Sequence, residues 1–429
     1  MKKDRTKQAV WEARSCSRRL GSARKSRVPE GGLDPRRTLF QVVLAKGFEE
    51  VGRLLETDRE ELCGPLRRWQ PDRQAYRYGY DEGQLVLGGR KVRVRKPRVR
   101  QARGAEIPLP SWQQFASEDP LRRRVLEQVV AGVSARDYHR TLDEMPEELD
   151  ATAPSRSSVS RRFVAATQKR VEEFLERPLG DLDLPVLMLD GRGMGDHLLV
   201  IALGIDRSGQ KHMLGVVEGS TESEAVGRRL LEDLISRGLP VERARLFVID
   251  GGKGLRKAIQ QVFGTWALVQ RCQIHKQRNV LGHLPQGKRT WVRAAIRRAW
   301  AEQNASTAKG KLRDLAVQLE NDHPGAAASL LEGLGETVTV LRLGASGLLL
   351  QTLSSTNPIE NVQGTLAKVS RNVKRWRGGA MALRWSVTGL LVAETKFRRI
   401  KGHRGLPQLL VALDALVGTS ALDRKAKVA

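Results

Sequence analysis

Apolar positions change their spacing several times along this chain, and each change marks a new element. From Thr38 to Arg68 they recur at helical intervals (Phe40, Val43, Leu44, Phe48, Val51, Leu54, Leu55), which predicts a helix. Over residues 76–100 the pattern becomes an alternation of apolar and polar residues around Gly88-Gly89, the signature of a β-hairpin. Helical spacing returns between Pro120 and Glu176. It predicts a helix, a break at Gly132-Val133-Ser134, a second helix capped by Ser134, and a third helix beginning near SRSSVSRRF. Helix, short glycine-containing turn and helix resemble a helix-turn-helix unit.

The stretch from Leu184 to Val280 reads differently. Three apolar runs, VLMLD, HLLVIALGID and KHMLGVVEG, are separated by turn signals at Gly191–Gly195 and Ser208-Gly209, predicting an antiparallel meander. A helix (Glu222–Arg237), a strand (RLFVID), a helix (Lys253–Val262), a strand (WALVQ) and a helix from Gln273 follow. The order β-β-β-α-β-α-β-α is that of a ribonuclease-H-like α/β fold, in which the first and fourth strands are neighbours. Residues 285–350 read as an all-helical insertion with Trp291, Trp300, Leu312 and Leu315 buried. The predicted division is a basic arm (1–37), an N-terminal region (38–180), a catalytic-type domain (181–284 and 351–402) interrupted by the insertion, and a tail (403–429).

Charge narrows the class of partner. The 429 residues carry 75 Lys+Arg against 48 Asp+Glu, a formal net charge of +27. Such an excess favours polyanions through counterion release, although ribosomal and membrane-surface proteins share it. Residues 1–38 hold twelve Lys/Arg and four acids, either a solvated tail or an arm that touches nucleic acid. The second half of the predicted hairpin has seven basic residues and no acid; Arg90, Arg93, Arg95, Lys96, Arg98 and Arg100 are its candidate phosphate contacts. A charged edge strand that blocks aggregation would look similar. In the predicted third helix Arg156, Ser157 and Arg161 would face DNA, as would Lys368, Arg371, Lys374, Arg375 and Arg377 near the C-terminus. The three cysteines offer no disulfide framework, and no apolar run is long enough to span a bilayer. Both point to a soluble protein of the cytoplasm.

Within this basic chain Asp190 and Asp250 each end an apolar strand-like run, and Glu360 sits in STNPIEN ahead of an Arg/Lys-rich segment. The usual task of carboxylates at the working surface of a nucleic-acid binder is to hold hard divalent cations such as Mg²⁺ against a phosphodiester. Taken singly each has a plainer reading, as a turn or cap residue or as a first-turn acid. Their joint placement in the strand order favours chemistry. Cys272 and His275 form a lone C-x2-H with no second pair to complete a structural zinc site. The sequence GGKG at Gly251–Gly254 lacks the remaining residues of a phosphate loop, so no nucleotide cofactor is expected.

From about residue 38 to 402 the chain resembles the Mutator-type DDE transposases of bacterial insertion sequences. The matching landmarks are LDG at Asp190, VIDGGKGLRKAI at Asp250, QRCQIHKQRNV at Cys272–Val280 and STNPIEN at Glu360. The resemblance implies that Asp190, Asp250 and Glu360 are a metal-binding DDE triad and that Cys272 and His275 lie near the site. It also implies cutting at terminal inverted repeats, joining to target DNA, and oligomerisation on paired ends. One position departs from the pattern: seven residues after the Glu, where many such transposases have Lys or Arg, stands Ala367, with Lys368 beside it and Arg371 one turn on. Rival readings are a non-catalytic DNA-binding regulator, a ribonuclease-H-like nuclease and a basic RNA-associated protein.

Overall fold

A computed structural model of the chain describes residues 35–68, 75–87, 90–101, 104–117, 120–142, 151–219, 221 and 223–415. The basic arm up to residue 34, the Gly88-Gly89 turn and the tail beyond 415 lie outside the described residues. Two compact units emerge, one drawn from Met1–Glu118 with Asp143–Thr152, the other from Asp119–Leu142 with Ala153–Ala429.

In the first unit a long helix, α1 (Pro35–Cys63), packs on a twisted hairpin of β1 (Ala75–Leu87) and β2 (Arg90–Gln101). Short strands β3 (Glu106–Ile107) and β4 (Ala151–Thr152) add to β2, and α2 (Pro110–Ser117) closes the unit. The expected helix stops five residues short of Arg68 because Gly64 takes a left-handed turn (φ 70°). Leu44 and Leu55 of α1 are buried, whereas Val43, expected inside, is exposed. In β2 Val92, Val94, Pro97 and Val99 are buried. The parity of that alternation changes at Lys96, beside a bulge between Arg77 and Tyr80 where Gly79 has φ 81°.

The second unit begins with α3 (Pro120–Val130). Where a second helix was expected, the chain makes only a 3-10 turn, Tyr138–Thr141. Ser134 does act locally: its hydroxyl accepts from the Asp137 N–H (3.1 Å) and donates to the Asp137 carboxylate (2.6 Å). This self-contained turn and buried Tyr138 replace a helical face. The expected third helix is present as α4 (Arg156–Leu175), capped by Ser155, and its Phe163 ring packs 4.5 Å from that of Trp385.

The heart of the unit is a five-stranded sheet. β5 (Val186–Met194), β6 (His197–Ile205) and β7 (Lys211–Gly219) form an antiparallel meander, followed by α5 (Glu224–Ser236), β8 (Arg245–Ile249), α6 (Lys253–Phe263), β9 (Ala267–Arg271) and α7 (Gln273–Gly282). The strand order is β7-β6-β5-β8-β9, with β5, β8 and β9 parallel. The first and fourth strands of the unit are therefore neighbours. Residues on both faces of β5 and β8 are buried. Val186, Met188, Leu246 and Val248 enter one core, and Leu187, Leu189, Phe247 and Ile249 enter the other, beneath α5 and α6. Each such burial stabilises by about 1.5–3 kcal/mol, enough to hold the strand ends in fixed register.

Residues 285–350 are helical, as expected: α8 (Gln286–Trp300), α9 (Ala305–Glu320), α10 (Pro324–Leu331), α11 (Thr339–Arg342) and α12 (Gly347–Leu353). The first three, with residues up to Leu341, share a core that includes Trp300, Leu312 and Leu315. Trp291 does not join it and is 40% exposed. The buried face of α8 runs through Val292, Ile296 and Ala299, and Trp291 stands about 100° away from it. Helices α13 (Asn357–Ser370) and α14 (Gly379–Glu394) then cover the first face of the sheet.

Candidate active site

The parallel register builds the site. Leu189 pairs with Ile249, and Ile249 with Arg271. Asp190, still within β5, and Asp250 and Cys272, the first residues beyond β8 and β9, consequently stand in one row at the strand spacing of about 4.8 Å. The Cys272 N–H donates to the Ile249 carbonyl (2.7 Å), which fixes that end of the row. Strand alternation places Asp190 and Asp250 on the side of Met188 and Val248, the face that α13 covers.

Helix α13 lies along this row. At one end the Thr356 N–H and hydroxyl both reach Cys272 Sγ at 3.4 Å. At the other, Gln363 Nε2 donates to Asp190 Oδ2 at 2.8 Å and to the Gly191 carbonyl at 3.3 Å. Seven helical residues advance about 10.5 Å, close to the span of two strand spacings. Glu360, at i+4 from Thr356 and i−3 from Gln363, lies between these two anchors on α13, with its Oε1 3.9 Å from His275 Nδ1. Thr356 Oγ1 donates to Glu360 Oε1 (2.8 Å), and Ile359, Val362 and Leu366 anchor the helix below.

Electrostatics mark the same place. Burial first, then the neighbouring charge of Asp250, pushes the Asp190 carboxyl up to about 7, and Glu360 adds to the effect. His275 is raised to about 9, chiefly by its hydrogen bond to Cys272 and also by the charges of Glu360 and Asp190. Burial pushes the Cys272 thiol up, but hydrogen bonds from His275 and Thr356 outweigh it and leave the thiol below its ordinary value. Neighbouring acids that repel one another, one of them buried within the sheet, fit a hard divalent cation, which would remove the repulsion. After Asp250 the chain turns sharply: Gly251 has φ 114°, and the Gly252 N–H donates to Asp250 Oδ1 at 2.8 Å. A Cβ on Gly251 would lie 2.1 Å from Arg271 Nε, so glycine is required there twice over.

Asp190 is not at a strand end, as its position before glycine suggested. It lies mid-strand, paired with Ile201, because β5 continues to Met194 and turns only at Gly195-Asp196. Gln363 and Thr356 were missed as site residues. Their helical spacing from Glu360 was the available signal.

The candidate DNA contacts fall in several places. In the first unit Arg93 and Arg95 are exposed, while Arg90, Lys96, Arg98 and Arg100 are half-buried. Arg98 and Arg100 stack on Tyr78, Arg95 on Tyr80 and Lys96 on Trp112. Arg98 is also engaged bidentately by Glu106 at 3.0 and 2.8 Å. In the second unit Arg156, Ser157, Arg161, Lys368, Lys374, Arg375 and Arg377 are exposed. Arg371 is exposed too, but its guanidinium donates to the Gly132 carbonyl at 3.4 Å. A groove of about 520 Å³ beside the first turn of α13 was not foreseen; Lys211, Arg398, Arg399 and Lys401 line it without an acid.

Fold and site together define a class: a mixed five-stranded sheet with Asp190 in its central strand and Asp250 just past the neighbouring parallel strand, carried by a strongly basic chain. The family follows from comparison. Residues 39–396 match the model of the Mutator family of transposases, and the chain belongs to that family. It is 26% identical to the transposase for insertion sequence element IS406 of Burkholderia multivorans, over 79% of this chain and 89% of that protein. It is 28% identical to the transposase for ISRM5 of Rhizobium meliloti, covering 74% and 80% respectively. The transposase for IS256 in transposon Tn4001 of Staphylococcus aureus is 27% identical, over 72% of this chain and 79% of its own length. Among the described residues no helix is long and apolar enough to cross a membrane.

Proposed function

We propose that this protein is a DNA transposase with a ribonuclease-H-like catalytic core, in which Asp190, Asp250 and Glu360 form the acidic triad. It binds terminal inverted repeats, cleaves DNA at them and joins the liberated 3′ ends to target DNA. The observation that supports this reading is the register Leu189–Ile249, which sets Asp190 of β5 beside Asp250, the residue after β8, together with the hydrogen bonds of Gln363 to Asp190 and of Thr356 to Glu360 on α13.

The three carboxylates would hold divalent cations, Mg²⁺ or Mn²⁺. When bound, such ions supply the charge that activates an attacking oxygen and stabilises the departing 3′ oxygen. The chain's own groups do the positioning. Gln363 occupies one oxygen of Asp190 and Thr356 one oxygen of Glu360, so each acid is orientated by a neutral donor that does not compete for charge. Gly252 restrains Asp250 in the same way. The cations of the groove beside α13 and the exposed Lys368, Lys374, Arg375 and Arg377 attract the phosphate backbone toward the acidic row. The α4 start and the basic hairpin serve end recognition, and two DNA ends imply an oligomer working in the cytoplasm at the nucleoid.

The test is an assay with Mg²⁺ on labelled DNA ends, comparing wild type with Asp250→Ala and Glu360→Gln for nicked and joined products. Nicking and joining by wild type alone are the expected result. Cutting without joining would make the protein a nuclease, and end binding without cutting would make it a regulator.

A further inference from the structure

Cys272 and His275 stay outside the triad, and the structure brings them a third donor that sequence spacing did not show. Cys272 Sγ, a ring nitrogen of His275 and a carboxylate oxygen of Glu360 all lie within 4.8 Å of one another. The Cys and His come from the cap and first turn of α7, so the C-x2-H spacing puts both on one turn. Glu360 enters from the first turn of α13. His275 Nδ1 is 3.9 Å from Glu360 Oε1, and Thr356 Oγ1 is 3.4 Å from Sγ, 3.4 Å from Nδ1 and 2.8 Å from Oε1. A tetrahedral ion with bonds of about 2.0–2.3 Å needs donors roughly 3.3–3.8 Å apart. Small side-chain adjustments reach that spacing, with the Thr356 hydroxyl at the fourth corner.

The donor types matter as much as the spacing. Thiolate and imidazole select soft or borderline cations, whereas Mg²⁺ takes hard oxygens. Cys272 and Thr356 are fully buried, while the His275 and Glu360 side chains are 29% and 32% exposed, which leaves a solvent path to the cluster. Glu360 thus belongs to two donor sets, a hard one with Asp190 and Asp250 and a soft one with Cys272 and His275.

We propose that Cys272, His275 and Glu360 form a binding site for a soft divalent cation of the Zn²⁺ class, whose occupancy withdraws Glu360 from the acidic triad and switches DNA cleavage off. On binding, the Cys272 thiol gives its proton to solvent, His275 ligates as the neutral imidazole and Glu360 as the carboxylate; no electron is transferred. The switching rests on the triad reading above; the binding does not.

Co²⁺ titrated into the full chain separates the two. Wild type and Asp250→Asn are expected to give the near-ultraviolet thiolate-to-cobalt band and tetrahedral visible bands at one equivalent, with Zn²⁺ displacing Co²⁺. Cys272→Ser should lose the thiolate band. His275→Ala and Glu360→Gln, both at partly exposed positions, should lose most of the affinity while their circular dichroism is unchanged. No thiolate band in wild type, or a band that survives in Cys272→Ser, overturns the site. Unchanged affinity in Glu360→Gln overturns the role of Glu360. With the site filled by Zn²⁺, end cleavage at fixed Mg²⁺ should fall and a chelator should restore it; cleavage unaffected at full occupancy overturns the switch. Wild type that binds Co²⁺ as described but never cleaves would sink the triad reading and leave the metal site standing.

Discussion

In the five-stranded sheet, charge is scarce and hidden: residues 186–190 of β5 and all of β8 are buried, and Asp190 is 7% exposed. The N-terminal hairpin does the reverse. Its β2 strand spaces seven cations between buried valines and a proline, and three tyrosines of β1 are more than 40% exposed. The first arrangement uses hydrophobic burial to hold a few charges in fixed register. The second spreads many charges over a surface where aromatic faces, not carboxylates alone, partner them. A site that must orientate atoms needs the former, and a surface that must attract a polyanion needs the latter.

Removing an acid of the row should therefore damage chemistry far more than fold. Asp190→Asn and Asp250→Ala should lower end cleavage by about 10³-fold or more, as loss of groups that act as a unit does. Asp190→Asn should leave the melting temperature unchanged or higher, because burial and neighbouring acids oppose its charge. A variant that unfolds would show that these acids serve structure. Next in size is Lys276→Met. Lys276 is buried and donates to the Ser329 and Glu332 carbonyls, tying α7 to the end of α10. Its loss should cost about 2–4 kcal/mol in denaturant unfolding. A change below about 0.5 kcal/mol would deny that tie.

The hairpin should respond in the opposite manner. Arg93→Ala with Arg95→Ala should leave stability within about 0.5 kcal/mol and weaken binding to every DNA sequence alike. The slope of log affinity against log salt should fall by about 2, one for each phosphate that is no longer neutralised. Sequence-dependent loss would instead mean base recognition. Arg371→Ala should instead act mainly on stability. Because its guanidinium already donates to Gly132, it should cost about 0.5–1.5 kcal/mol of stability, while Lys368→Ala should change only DNA affinity.

Several features were legible because their cause is local. Alternation and turn residues located the hairpin and the meander, and helical spacing located α6 and α7 to within a residue or two. Other features needed partners that local spacing cannot supply. Asp190 sits mid-strand because β6 pairs with all of β5. Trp291 is outside because of which face of α8 meets α9, and Arg371 is tied to a carbonyl 239 residues away in sequence. The 3-10 turn after Ser134 reflects a Ser–Asp turn that competes with helix, a local signal that was present but misread.

By itself, the sequence determined most of the elements and their order, the polyanion-seeking charge and which acids to consider. Those depend on residue chemistry and on periods of two or 3.6 residues. Only the tertiary structure decided that Asp190, Asp250 and Cys272 share one row, that Gln363 and Thr356 orientate the acids, and that Glu360 lies within reach of a thiol and an imidazole. Those relations arise from strand register and from the packing of Ile359, Val362 and Leu366 on the sheet, which bring together residues up to 173 positions apart.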